Sequence, residues 1–417
     1  MQETIEIFDV AVIGGGPAGM MAAGRAAELG ASVVLLEKNN NLGKKLLMTG
    51  KGRCNLTQNQ PDNREFIKKI GANGKFLFSS LACFGPEETM QFFKSHNLPL
   101  KTERGKRVFP TSDHAEDVLK VLQRYLKENK VKFIYGSEIF DFKLENNRIE
   151  KIKLKDGFVQ ARNYIIAVGG KSYPTTGSTG DGYQWAKRMG HTIIETNPTL
   201  VPVRTNESWI QHLQGLSLKN VAINIFQNNK KQATRFGEMI FTHFGLSGPI
   251  ILDASREIGE LLKKGEVEIE IDFKPALDFK QLDERLKRDF QESANKNFEN
   301  YLPQLVPKKM IGVIIKLSGI IANTKIHAIT KEERKILVHL LKEMKVSVVG
   351  LMGYDQAIAT SGGVSLKEVD SKTMKSKIID NLFFAGEILD LDGPTGGYNL
   401  QICWSTGYAA GTHAAVK

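Results

Sequence analysis

"IFDVAVIGGGPAGMMAAGRAAELGASVVLLEK", residues 7–38, decides the fold. Residues 7–13 are an apolar run suited to a buried parallel strand. Gly14-x-Gly16-x-x-Gly19 follows, then an alanine-rich helix to about Leu29, ended by Gly30, and a second strand in "SVVLLE". Gly14 allows a tight turn, Gly16 lets the backbone approach a pyrophosphate, and Gly19 lets helix and strand pack closely. The helix N-terminus offers unpaired N–H groups to phosphates, so Pro17 and Ala18 join the glycines as candidate cofactor contacts. Glu37 ends the second strand, where a carboxylate can accept hydrogen bonds from both ribose hydroxyls. A glycine fingerprint alone is weak, but strand, helix, strand and terminal acid together predict a Rossmann-like α/β dinucleotide-binding domain.

The next stretch chooses between NAD and FAD. In a simple dehydrogenase another strand-helix unit would follow Glu37. Here "EKNNNLGKKLLMTGKGRCN" (37–55) is charged and punctuated by glycine, which suits a cofactor whose long ribityl-flavin half is followed outward. Far downstream, "NLFFAGEILDLDGPTGGYNLQICWSTGYAAG" (381–411) reads as a strand, Gly386-Glu387, a glycine-rich turn and a helix from about Asn399. Glu387 is placed to meet a ribitol hydroxyl. Gly396, Gly397, Tyr398 and Asn399 are placed at the flavin edge that carries negative charge when reduced. Lys38, Lys45 and Gly169 complete this set of candidate contacts. The cofactor expected is non-covalent FAD, with NAD(P)H as a transient donor.

Two patterns mislead. Gly170-Lys171-Ser172 ends like a phosphate loop, but the required first glycine is Ile165. "GSTGDG" (177–182) has the wrong spacing for a second dinucleotide fingerprint, so no dedicated NAD(P)H domain is expected.

Composition bounds the rest. A chain of 417 residues predicts two or three domains. No apolar run reaches the length of a membrane span, and "MQETIEIFDVAV" has no basic leader region. Cys54, Cys83 and Cys403 are odd in number, far apart and without a C-x-x-C. Neither a disulfide framework nor a zinc site is expected, and a reducing cytoplasm fits. The net charge of +11 attracts polyanions but is also compatible with simple solubility.

The chain reads as one FAD domain in two pieces around insertions. Residues 1–190 form its first part, including a β meander over 131–168. An antiparallel β-barrel-like insertion covers 191–276, with strands such as "NVAINIFQNN" and "VEIEIDFKP". A small helical domain nests at 277–344, return strands occupy 345–362, and the FAD domain resumes at 363–417.

"GKKLLMTGKGRCNLT", "AVGGKSYPTTGSTGDGY", "FTHFGLSGP" and "TSGGV…LFFAGEILDLDGPTGGYNLQ" together resemble a bacterial flavoprotein family. It includes BaiN-type bile-acid enone reductases, RdsA-type ribosomal RNA dihydrouridine synthases and proteins labelled aminoacetone oxidase. The resemblance spans essentially the whole chain. It implies FAD and the three-part architecture and leaves the substrate open. Lys51 stands where the family usually has a glycine, and "LQICW" departs from its more usual aromatic run.

Within that resemblance "MTGKGRCN" (48–55) is the cofactor-pocket segment, with Gly52, Arg53, Cys54 and Asn55 as candidate contacts. Cys54 has two readings: a small packed residue, or a proton donor whose pKa is lowered by Arg53. His243 is either a core histidine or a catalytic one. Tyr173 and Tyr398 read as aromatic walls. The expected enzyme is an FAD-dependent oxidoreductase that reduces an activated C=C bond, in a uracil of ribosomal RNA or in a conjugated ketone. The rivals are amine oxidation with oxygen and a non-catalytic flavin-containing RNA-binding factor. Basic clusters at Arg104/Lys106/Arg107, Lys230/Lys231/Arg235, Lys263/Lys264 and Lys308/Lys309 give an RNA substrate a reason. The oligomeric state stays open.

Overall fold

The computed structural model describes residues 6–416 and divides into two compact units. The first runs to Thr199 and resumes at Tyr354; the second is Leu200–Gly353.

The first unit is built on the strand Ile7–Ile13, which pairs in parallel with Val33–Glu37 on one side and Gly157–Ile166 on the other. Lys132–Tyr135 extends the sheet beyond Val33–Glu37. The long strand Gly157–Ile166 does two jobs. Its first residues pair antiparallel with the meander strand Arg148–Leu154, and its last three pair in parallel with Leu382–Phe384. The glycine loop and the loops after Glu37, Ile166 and Phe384 therefore emerge at one sheet end, the carboxyl ends of the parallel strands, where such folds bind ligands.

The helix Pro17–Glu28 covers the sheet and packs on the closing helix Tyr398–Ala414. Gly407 and Gly411 lie one turn apart and make this contact possible. A Cβ added to them would lie 2.4 Å from the Ala18 carbonyl oxygen and 2.3 Å from that of Ala22. A small antiparallel sheet of Thr57–Gln58, Arg107–Pro110 and Leu100–Glu103 completes the unit.

The second unit is a closed barrel of six antiparallel strands: Val203–Thr205, Gly245–Ser247, Lys230–Phe241, Ser217–Gln227, Val267–Asp272 and Met344–Leu351. Helices between Phe279 and Lys342 share one core with it. Leu282, Leu286 and Leu341 fall in the same buried cluster as Ile223 and Ile269.

The expected boundaries at 191 and 362 are corrected. Strands Ile193–Thr199 and Ala359–Val364 pair with each other, not with the barrel, and lie in the first unit. Thr360 shows why: its N–H donates to Glu387 Oε1, 2.8 Å away. Among the described residues no helix is long and apolar enough to cross a membrane.

Candidate functional site

A cavity of about 750 Å³ opens at the carboxyl ends of the parallel strands, lined by residues of the first unit. Of the candidate cofactor contacts, Gly14, Gly16, Pro17, Ala18, Glu37, Lys38, Lys45, Gly169, Glu387 and Asn399 line it. Gly14 has φ +104°. A Cβ on Gly19 would lie 1.8 Å from the Gly14 carbonyl oxygen, so that glycine is required by helix–loop contact alone. Gly16 differs. Its conformation is open to any residue, and a Cβ there meets nothing within 4 Å. It forms a cradle whose space belongs to the cavity.

Glu37 is buried and held from both sides. Its Oε2 accepts from the Gly15 N–H at 2.7 Å, and its Oε1 accepts from the backbone and side-chain N–H groups of Asn39, both at 2.7 Å. Three of the carboxylate's four lone-pair sites are thus taken, and Oε2 keeps one that can accept a further hydroxyl. Glycine cradle, helix N-terminus and fixed acid fit the ADP half of FAD.

Elsewhere on the lining, four chain segments meet in one polar network. Glu387 Oε1 accepts from Ser172 Oγ (2.7 Å) and Thr360 N (2.8 Å), while Oε2 accepts from Lys45 Nζ (2.5 Å). Lys45 also donates to Ser172 Oγ. Glu387 and Lys45 were expected from sequence; Ser172 and Thr360 were not. Ser172 sat inside the rejected phosphate-loop pattern, and nothing local marks Thr360. Cys403 lines the cavity near this network, and burial pushes its thiol up to about 12.

The glycine turn lies behind the lining. Gly386, Gly396 and Gly397 have φ of +79°, +116° and +98°. A Cβ on Gly386 would press on Ala18 Cβ at 2.7 Å, and one on Gly397 would lie 2.6 Å from the Thr57 carbonyl oxygen. Tyr398 is buried with its ring 4.7 Å from that of Phe66. Asn399 closes the turn through Gly393, accepting its N–H at 2.9 Å and donating to its carbonyl at 2.8 Å.

"MTGKGRCN" forms a tight curl. Gly50, Lys51, Gly52 and Cys54 all have left-handed φ between +58° and +82°. Lys51, at +61°, thus occupies a conformation that favours glycine. Thr49 reaches the lining; Gly52, Arg53, Cys54 and Asn55 stand outside it.

The reading of Cys54 as a thiol activated by Arg53 is corrected. Arg53 turns to Glu103 and to Asp113, the latter at 2.6 and 2.8 Å, and lies over the Phe109 ring at 4.1 Å. Cys54 is fully buried, and burial pushes its thiol up to about 12. Neighbours in sequence here point to different surroundings. Asn55 Oδ1 and Gln58 Oε1 are buried without a hydrogen-bond partner among the described residues, so both can accept an N–H.

Tyr173 is half-buried in a left-handed conformation at φ +50°. His243 belongs to the second unit, in the turn between Phe241 and Gly245. Its side chain is exposed, with the ring edge-on to Phe244. No group of residues that could hold a metal ion occurs among those described.

The family model described as HI0933-like protein Rossmann domain matches residues 8–413. A 3-dehydro-bile acid delta(4,6)-reductase of Clostridium scindens is 34% identical, over 98% of this chain and 99% of that protein. A ribosomal RNA dihydrouridine synthase of Haemophilus influenzae is 30% identical, over 95% and 96%. Among solved structures, a 3-ketosteroid-delta4-(5alpha)-dehydrogenase from Rhodococcus jostii shares the fold. Its TM-score is 0.55 at 14% identity, covering all of this chain and 98% of that one.

Proposed function

The chain belongs to the HI0933-like family and is an FAD-dependent oxidoreductase; from that premise we propose that it reduces a C=C bond conjugated to a carbonyl, with NAD(P)H as transient donor. The substrate we favour is a uracil in ribosomal RNA, whose C5=C6 bond is of this kind. Reductions of C=C bonds are also what the names of the two relatives describe. FAD, when bound, supplies the hydride transfer. Backbone N–H groups at the start of the helix Pro17–Glu28 would hold its pyrophosphate, and Glu37 would hold the adenosine ribose. Lys45, Ser172 and Thr360 fix the Glu387 carboxylate, which would meet the ribitol.

One observation carries the RNA reading. The turn Arg104–Arg107 is cationic, with Arg104 and Lys106 exposed, and it lies one strand from the glycine turn. Arg107 pairs in register with Gln58. Gln58 Nε2 donates to the Gly105 carbonyl at 2.8 Å, and its Oε1 is 3.8 Å from where a Gly396 Cβ would stand. Phosphates held there would keep a base drawn out of its stack in the same unit as the cofactor. The clusters in the second unit support this less. Arg235 is spent on Glu257 and Lys263 on Glu260, each at 2.8 Å.

Binding of a single-stranded ribosomal RNA fragment is expected to weaken steeply with salt. Replacing Arg104, Lys106 and Arg107 by Ala should lower the log–log slope by about 2, at about 0.7 per phosphate contact, with FAD content unchanged. Deleting the gene should remove a dihydrouridine from ribosomal RNA, read by mass spectrometry. No binding at low salt, or no lost dihydrouridine, would move the proposal to a small conjugated ketone, the substrate type closer to the Clostridium scindens reductase.

The α-carbon of the reduced bond also needs a proton. Cys54 is a poor donor on the burial described above, so Cys54→Ala should leave both NADPH-driven reduction of the flavin and its substrate-driven reoxidation intact. A loss of reoxidation alone in Cys54→Ala, by the about 10²–10⁴-fold that a general acid is worth, would restore it as the donor.

A further inference from the structure

The loop 174–181 forms one wall of the FAD cavity, yet little of it is buried: only Ser178 and Gly180 are. Two side chains directly after Glu37 hold it down. Lys38 Nζ donates to Thr179 Oγ1 at 2.6 Å and to Asp181 Oδ2 at 2.9 Å. Asn39 Nδ2 donates to the Thr176 carbonyl at 3.0 Å and also to Glu37 Oε1. The loop comes so close that a Cβ on Gly177 would lie 2.7 Å from Asn39 Nδ2 and 3.2 Å from Lys38 Cε. The backbone passes through the left-handed region at Tyr173, Gly177 and Gly180, with φ of +50°, +109° and +84°. At its base, Ser172 is fixed to Glu387.

We propose that residues 174–181 are a strap over the FAD cavity and that Lys38 and Asn39 are its latch. They act as positioning residues that set how long FAD stays bound. This rests on FAD occupying the cavity and not on the choice of substrate. A cofactor beneath such a loop leaves when the loop lifts, so the strength of the latch sets the open fraction. Lys38 and Asp181 have side chains 35% and 42% exposed, so salt reaches and screens the pair.

The test follows FAD released from the holoenzyme by the rise in its fluorescence, with large dilution preventing rebinding. Lys38→Met and Asp181→Asn should each speed release by about 3- to 10-fold. Because they remove one shared contact, the double variant should release FAD no faster than the faster single variant. Raising salt should speed release from the wild type and leave Lys38→Met unchanged, a response that general loosening of the fold would not give. Melting of the apo-proteins should match wild type. Release at the wild-type rate in both single variants, multiplicative effects in the double variant, or equal salt response in Lys38→Met would overturn the latch. A wild-type protein that binds no FAD would overturn the cofactor assignment and the strap with it.

Discussion

Gly16→Asp is expected to give a folded, colourless protein. The backbone at Gly16 has φ −81° and ψ −176°, which any residue adopts. Its Cβ would meet no protein atom within 4 Å, so the substitution strains nothing in the chain itself. The new carboxylate would stand in the space proposed for the pyrophosphate. Like charges about 4 Å apart at an effective dielectric near 20 repel by about 4 kcal/mol, which is about a thousand-fold in affinity. The visible flavin absorbance of the purified protein should vanish while the apo-protein melts as wild type does. Gly19→Ala makes the contrast, because its Cβ would strike the Gly14 carbonyl and damage the fold along with cofactor binding. Full FAD occupancy in a folded Gly16→Asp protein would contradict the site.

Gly411→Val is expected to be the most damaging single change away from the cavity. The helix Tyr398–Ala414 rests on the helix Pro17–Glu28 through bare backbone at Gly407 and Gly411. The obstructing atoms are carbonyl oxygens of Ala18 and Ala22, which no rotamer change can move aside. Separating the helices should cost about 3 kcal/mol, lowering the melting temperature by about 6–12 °C for a unit of this size. Gly312→Ala is the control. It lies in the helix Ile311–Ser318 with nothing within 4 Å of the added Cβ, and it should hold or raise stability. Equal melting of Gly411→Val and wild type would show that the helices can part without loss.

The parts of the site that are local in sequence were legible. Strand, glycine loop, helix and Glu37 occupy fixed spacings, so about thirty residues identify their own geometry. Glu387 was read from its place after a strand, whereas Gly386 beside it stands outside the lining. The rest depends on which loops meet. Lys45, Ser172, Thr360 and Glu387 come from four segments, and only the sheet order brings them together. The boundary error has a similar cause: nothing local in Ile193–Thr199 marks which sheet it joins, and its partner Ala359–Val364 decides where it belongs. For Cys54, adjacency to Arg53 was read as electrostatic proximity, but in a curl of left-handed residues successive side chains diverge. The Gly407-x-x-x-Gly411 spacing was there to be read as a close helix contact and went unused.

The strand Gly157–Ile166 gains its neighbour Leu382–Phe384 from a segment made more than two hundred residues later. Between them lies the whole of Leu200–Gly353, an uninterrupted stretch with its own core. Protein synthesis therefore delivers a complete barrel unit while the nucleotide fold still lacks a strand and the helix that covers Ala18 and Ala22. Domains generally fold as units in the order in which they emerge, but here the unit begun first is the one finished last. Until the helix Tyr398–Ala414 leaves the ribosome, the face of Pro17–Glu28 that it covers and the edge of Gly157–Ile166 that takes Leu382–Phe384 stay open, and it is in this interval that the nascent chain is most exposed to aggregation.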